Sequence, residues 1–359
     1  MAENSSFDVI VIGGGPGGYV AAIRAAQLGK STAVVEKDKA GGRCLNYACI
    51  PAKTMLHTAE VLDEAKNSAE IGVKVTGAEL DWDALGQRRT DVSASLEGGV
   101  NGLFKKNKIE FIAGEGSLTE DGNVKVGDTT YQAGKVIVAT GSGAQSIPGV
   151  EFSERVLDTW GAWSVPEQPK SIAVVGAGAS GAELASAYIR FGTEVKLIEM
   201  LDQILPAEDK DVVRVVERTF KKQGIEVSTG TPVENVEVGK DSVKFTYGDN
   251  SAEVDYLMIA GGRVPDIGPL GLGWTATLRG NFHNWKVSVT SYDGPVDIDH
   301  GMLFRPADTI HPAYCEGFPK DHVFGSYAAD RSRFTVEVYR EHEVFTLMYL
   351  LSRWSRRTK

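Results

Sequence analysis

FDVIVIGGGPGGYVAAIRAAQLG, Phe7 to Gly29, decides the fold. It opens on a β-rich run, apolar apart from Asp8. A glycine cluster breaks that run before YVAAIRAAQLG, whose composition is helical. The order strand, glycine turn, helix predicts the start of a βαβ unit. The next apolar run, STAVVE, ends in Glu36, at the distance where an acid meets a ribose hydroxyl. The stretch from Phe7 to Leu28 is long enough to resemble a membrane span, but its glycines, Pro16 and Arg24 argue against one.

The arrangement then returns. SIAVVG leads into a second glycine loop, ELASAYIRFG continues as a helix, and TEVKLIE closes on an acid. Gly176, Gly178, Gly181 and Glu199 each stand 163 residues after Gly13, Gly15, Gly18 and Glu36. Four positions at one offset identify an internal repeat. In each copy the glycines allow a tight turn and a close approach to a pyrophosphate, and the helix start offers unpaired N–H groups. Each copy is therefore expected to hold one dinucleotide. The downstream halves also correspond: IEFIAGEGSL and KVIVATGS in the first match IEVSTGTPV and DYLMIAGG in the second. Both predict a small antiparallel excursion and a buried strand returning to the sheet. The expected fold is α/β, with two Rossmann-like dinucleotide-binding domains, each a central parallel sheet in three layers. The boundaries read as 1–145, 146–268 and an atypical C-terminal segment, 269–359.

Size and composition fit this. A chain of 359 residues supports more than one core, and 42% hydrophobic content suits a globular protein. A formal charge of -10 argues against nucleic-acid or anionic-membrane partners, which the average surface would repel. The basic end RWSRRTK reads as a frayed terminus rather than a binding arm. Three cysteines are too few for a secreted disulfide framework, and MAENSSF lacks the charged start of a signal peptide, so a cytoplasmic location is expected.

Two of those cysteines, Cys44 and Cys49, stand five apart in GGRCLNYACIPAK, Gly41 to Lys53. No zinc pattern has that spacing, and only Cys315 and six scattered histidines could complete a metal site, so no metal is expected. Two readings stay open: packed free thiols, or a redox pair. An undistorted helix would hold residues five apart about 8.6 Å between Cα atoms. A disulfide needs about 4.4 to 6.8 Å. Pairing therefore requires a distorted segment around Asn46 and Tyr47.

GGGPGG, GGRCLNYACIPAK, KVIVATGS, VVGAGASGAELA, LIEMLDQILPAEDKDV and AGGRVPD, in this order, resemble the flavin-dependent disulfide oxidoreductases, and among them the dihydrolipoamide dehydrogenases. The likeness covers residues 7 to about 273. It implies FAD on the first unit, with Glu36 on the adenosine ribose and Gly116, Thr140, Gly141 and Ser142 along the nucleotide. It implies NAD on the second, with Glu199 on the ribose and Gly262 nearby. A carboxylate at Glu199 would repel a 2′-phosphate, and Met200 to Pro206 hold no cation to bind one, which favours NAD over NADP. The resemblance further implies a Cys44–Cys49 disulfide, with Cys49 facing the flavin and Cys44 exchanging with substrate. Lys53, paired with Glu183, would stabilise charge on the reduced ring. The implied substrate is a lipoyl group, free or carried on the acyltransferase of a 2-oxoacid dehydrogenase complex, and the implied assembly a homodimer where the C-terminal segment permits it. The chain departs from the family at Arg43, Ala48 and Ala52, none of which removes a reactive group.

After Gly273 the likeness fades, and the family's Gly-Asp contact to the flavin side chain is not visible. One fragment, TIHPAYCEGF, places His311 and Glu316 at the spacing of the family's acid/base pair. The alternative expectations are a non-catalytic or impaired dinucleotide-binding remnant lacking the dimer interface, or another NADH-dependent disulfide reductase or diaphorase.

Overall fold

The computed structural model describes residues 5–119 and 121–270 and, beyond them, only the backbone of strand segments between Trp274 and Ser352. In chain order the elements are β1 (Ser6–Ile12), α1 (Pro16–Gln27), β2 (Thr32–Glu36), α2 (Gly42–Asn46), α3 (Cys49–Asn67) and α4 (Trp82–Lys106). β3 (Glu110–Ala113), β4 (Gly116–Leu118), β5 (Val124–Val126), β6 (Thr129–Val138) and β7 (Ser142–Ala144) follow. The second half comprises β8 (Val156–Leu157), α5 (Thr159–Ala162), β9 (Ser171–Val175), α6 (Ala179–Phe191), β10 (Glu194–Ile198) and α7 (Lys210–Gln223). It closes with β11 (Glu226–Ser228), β12 (Val233–Val238), β13 (Val243–Tyr247), β14 (Asn250–Val254) and β15 (Tyr256–Ile259).

The chain divides into two compact units, one of residues 1–43, 96–143 and 264–359, the other of 44–95 and 144–263. In the first, β3, β2, β1 and β6 lie side by side and parallel, with Val11 opposite Val34 and Ile137. β5 pairs antiparallel with both β4 and the start of β6, so one long strand serves the excursion and the return. In the second, β11, β10, β9, β15 and β8 are parallel, and β12 to β14 form a separate antiparallel sheet. The order third, second, first, return strand is thus the same in both, as the repeat predicts.

β9 is buried from Ile172 to Val175 and β1 from Ile10 to Ile12, because helices or further strands cover both faces of a parallel sheet there. Ile10, Val35, Val136 and Leu270 share the core of the first unit. Each large apolar side chain buried there stabilises by about 1.5–3 kcal/mol. Residues 44–95 depart from the expected boundaries: instead of staying with residues 1–43, they group with 144–263. The reason is packing. Ala52, Met55, Ala59 and Leu62 line one face of α3 and enter the same core as Leu184, Ala185 and Tyr188 of α6. Among the described residues no helix is long and apolar enough to cross a membrane.

Candidate functional site

Each unit carries a glycine loop at the carboxyl end of its first strand, where open α/β sheets bind ligands. Gly13 has φ +106°, and a Cβ on it would lie 2.1 Å from the Ala139 carbonyl oxygen. Gly176 has φ +95°, with the Ala260 oxygen at 2.6 Å from the same position. A Cβ on Gly18 would meet the Gly13 oxygen at 1.8 Å, and one on Gly181 the Gly176 oxygen at 1.9 Å. These glycines let strand, turn and helix close on one another. Gly178 differs, since its Cβ direction is open. That open side leaves backbone free to approach a pyrophosphate.

The helices after these loops are prepared in the same sense. α1 and α6 start at Gly15 and Gly178 with no side-chain cap and no acid in the first turn. By contrast, Asp158 and Asp209 cap α5 and α7. Uncapped N–H groups at a positive helix end are donors for an anion.

The acids are held alike. Glu36 accepts the Gly14 N–H at 2.6 Å on Oε2 and the Asp38 N–H at 2.9 Å on Oε1. Glu199 accepts the Ala177 N–H at 2.7 Å and the Leu201 N–H at 2.9 Å on the corresponding oxygens. The 163-residue offset therefore extends to these bonds. A carboxylate has about four lone-pair directions, so each oxygen keeps one for a ribose hydroxyl. The residues present fit two dinucleotides.

In the first unit Gly13, Glu36, Gly116 and Thr140 line one cleft. Gly141, at φ +74°, accepts the Asp266 N–H at 3.0 Å, and Ser142 opens β7; neither borders that cleft. Sequence reasoning missed Lys37, which borders it and bridges Glu115 at 3.2 Å and Asp266 at 2.9 Å. Those partners are 78 and 229 residues away, so no local pattern marks them. In the second unit Gly262 has φ +126° and its carbonyl accepts the Gln145 N–H at 3.0 Å.

The cysteine segment is broken as pairing requires. α2 ends at Asn46, Ala48 has φ -132° and ψ -89°, and α3 restarts at Cys49. Both thiols are free, partly exposed and hydrogen-bonded to each other. The Cys44 S–H donates to the Cys49 sulfur. This bond, with the positive charge of Lys53, lowers the Cys49 pKa to about 6 against the cost of burial. Its place at the start of α3 acts in the same direction. Cys44 is raised by the same contact and by burial. One helical turn on, Lys53 Nζ pairs with Glu183 of α6. Lys53 is exposed and Glu183 only partly buried, so the pair contributes little to stability and serves to fix the ammonium. Tyr47, between the cysteines, packs on Trp160 with ring centroids 4.5 Å apart. His311 and Glu316 lie outside the described residues.

A family model described as Pyridine nucleotide-disulphide oxidoreductase matches residues 7–280. The chain belongs to this family. The family uses FAD and NAD. Dihydrolipoyl dehydrogenase of Geobacillus stearothermophilus is 40% identical over 273 residues, 74% of this chain and 58% of that relative. Dihydrolipoyl dehydrogenase of Chlamydia pneumoniae is 40% identical over 276 residues, 76% of this chain and 60% of the relative. The crystal structure of LpdA from Mycobacterium tuberculosis superposes with a TM-score of 0.69 at 27% identity, covering 77% of this chain and 63% of that one. The chain thus spans 58% and 60% of the length of the two curated relatives.

Proposed function

We propose that the chain is a disulfide oxidoreductase that oxidises a dihydrolipoyl group and reduces NAD, with FAD on the first unit and NAD on the second. The observation that carries this reading is the thiol pair at the head of α3, with Cys49 biased to thiolate and Lys53 one turn away. In the oxidised chain, a substrate thiolate would attack Cys44, and Cys49 would leave. Its lowered pKa makes it the better leaving group of the two. The second substrate thiol would then displace Cys44, leaving substrate disulfide and the enzyme dithiol. Bound FAD supplies a two-electron relay from that dithiol to NAD. Glu183 holds Lys53 where its charge would offset charge gained by the cofactor. In this reading Gly141 and Ser142 extend the flavin path, Gly262 borders NAD, and His311 with Glu316 takes the substrate proton. The working form would be a cytoplasmic homodimer serving a 2-oxoacid dehydrogenase complex.

Absorbance and turnover of the purified full chain test the proposal. It should be yellow, be bleached by NADH, and form NADH from NAD and dihydrolipoamide. A colourless chain that takes up no FAD refutes the flavin assignment. A flavin-loaded chain without lipoamide turnover refutes the substrate.

A further inference from the structure

The cleft between α3 and α4, within the second unit, takes no part in the chemistry above. It is a cavity of about 160 Å³ whose apolar wall includes Met55, Trp82, Leu85 and Val165. The wall is preformed. Met55 and Leu85 are 1% and 5% exposed. The Trp82 indole N–H donates to the Val165 carbonyl at 3.1 Å, and its ring packs on Tyr188 and, edge to face, on Phe191.

Arg89 enters the same cleft. Its Nη1 donates to the Trp163 carbonyl, and no carboxylate among the described residues pairs with it. Arg89 is half-buried, and that burial pushes its pKa down. A guanidinium has five N–H donors in a planar fork suited to a carboxylate. Removing a cation from water is unfavourable until an anion completes the pair. The rest of the cleft narrows the choice of anion. Asp83 stands at its edge and the chain carries a net charge of -10, both of which oppose a multiply charged ligand. The hydrophobic wall favours an apolar body, and cavities of about 150 Å³ accept a benzene-sized group.

We propose that this cleft binds a small monocarboxylate with a benzene-sized apolar body, its carboxylate on Arg89 and its body against Trp82 and Met55. Benzoate is the probe. Calorimetry on the full chain, with tryptophan fluorescence as a second readout, should show saturable one-site binding. Arg89→Gln should weaken it at least tenfold. Gly86→Leu should weaken it at least tenfold, because Gly86 borders the cleft and a Cβ there meets no atom within 4 Å, so the backbone has room for a larger side chain at the cleft wall. Thermal melting reports whether each variant folds, and Gly86→Leu decides alone if Arg89→Gln does not. Absence of saturable benzoate binding overturns the proposal. So does an unchanged affinity in Gly86→Leu, which would place the ligand elsewhere. Inorganic phosphate competing as well as benzoate would overturn the assignment to a monocarboxylate.

Discussion

Cys44→Ala, made in a Cys315→Ser background so that Cys49 is the remaining thiol, removes the contact that does most to lower the Cys49 pKa. With Cys44 present, that pKa falls from 9.0 to about 6. At pH 7 a thiol with a pKa of about 6 is ~90% ionised, and one with a pKa of about 9 is ~1% ionised. The thiolate fraction could therefore fall by up to ~90-fold. The rate would fall far less, because a more basic thiolate is the stronger nucleophile. A Brønsted slope of about 0.4–0.5 over three units returns ~20-fold, leaving a net loss of only ~5-fold at pH 7. The pH midpoint, not the rate at one pH, is therefore the diagnostic quantity. Alkylation of the reduced chain by iodoacetamide, followed from pH 5 to 10, should give a midpoint near 6 with Cys44 present. Reactivity should be lost as the pH drops through it. The Cys44→Ala midpoint should lie at least about one unit higher, short of the full shift because Lys53 and the start of α3 still favour the thiolate. A midpoint above 8 with Cys44 present, or one that Cys44→Ala leaves in place, refutes the account of the pair.

Gly13→Ala should lower the melting temperature, because its Cβ would collide with the Ala139 oxygen at 2.1 Å and its φ of +106° disfavours a side chain. The cost is about 2 kcal/mol or more, and an unchanged melt contradicts it. NADH should be preferred over NADPH by roughly tenfold or more in steady-state diaphorase assays, since the buried Glu199 carboxylate repels a 2′-phosphate. Equal efficiency would sink that assignment. Cys49→Ser should keep the flavin and lose disulfide turnover, and joint loss of flavin and fold would show the cysteine to be structural.

The glycine loop and acid of each nucleotide site were legible because what shapes them is local. The glycine loop and acid of each copy fall within 24 residues, Gly13 to Glu36 and Gly176 to Glu199. The backbone there has few alternatives once glycine occupies the positive-φ positions. The break between Cys44 and Cys49 was legible in the same way, from the reach of a helix against the span of a disulfide. Lys53 with Glu183 came only through the family resemblance, since no local pattern joins partners 130 residues apart, and the two meet because α3 packs on α6. That packing also carried residues 44–95 away from the expected boundary. Two apolar helices reveal from sequence that each has a buried face, not which helix covers it.

Arg89 marks the border between these cases. RRTD offers two adjacent arginines with nothing in their chemistry to separate them, yet Arg88 is exposed and Arg89 half-buried. The helical period separates them. Trp82 and Leu85 are three apart, Arg89 follows Leu85 by four, and Ser93 follows Arg89 by four, which sets all four residues on one stripe of α4. Leu85 and Ser93 are buried, so the stripe faces inward, and Arg88 falls about 100° away from it. A cation at an inward position needs a partner, and no acid sits three or four residues from Arg89 to supply one within the helix. The period thus predicts an inward arginine lacking a local counter-charge. It does not predict that Met55 of another helix and Val165 of a distant loop leave a cavity beside it. The stripe supplies the charge and tertiary packing supplies the volume, and only the two together specify a carboxylate with an apolar body.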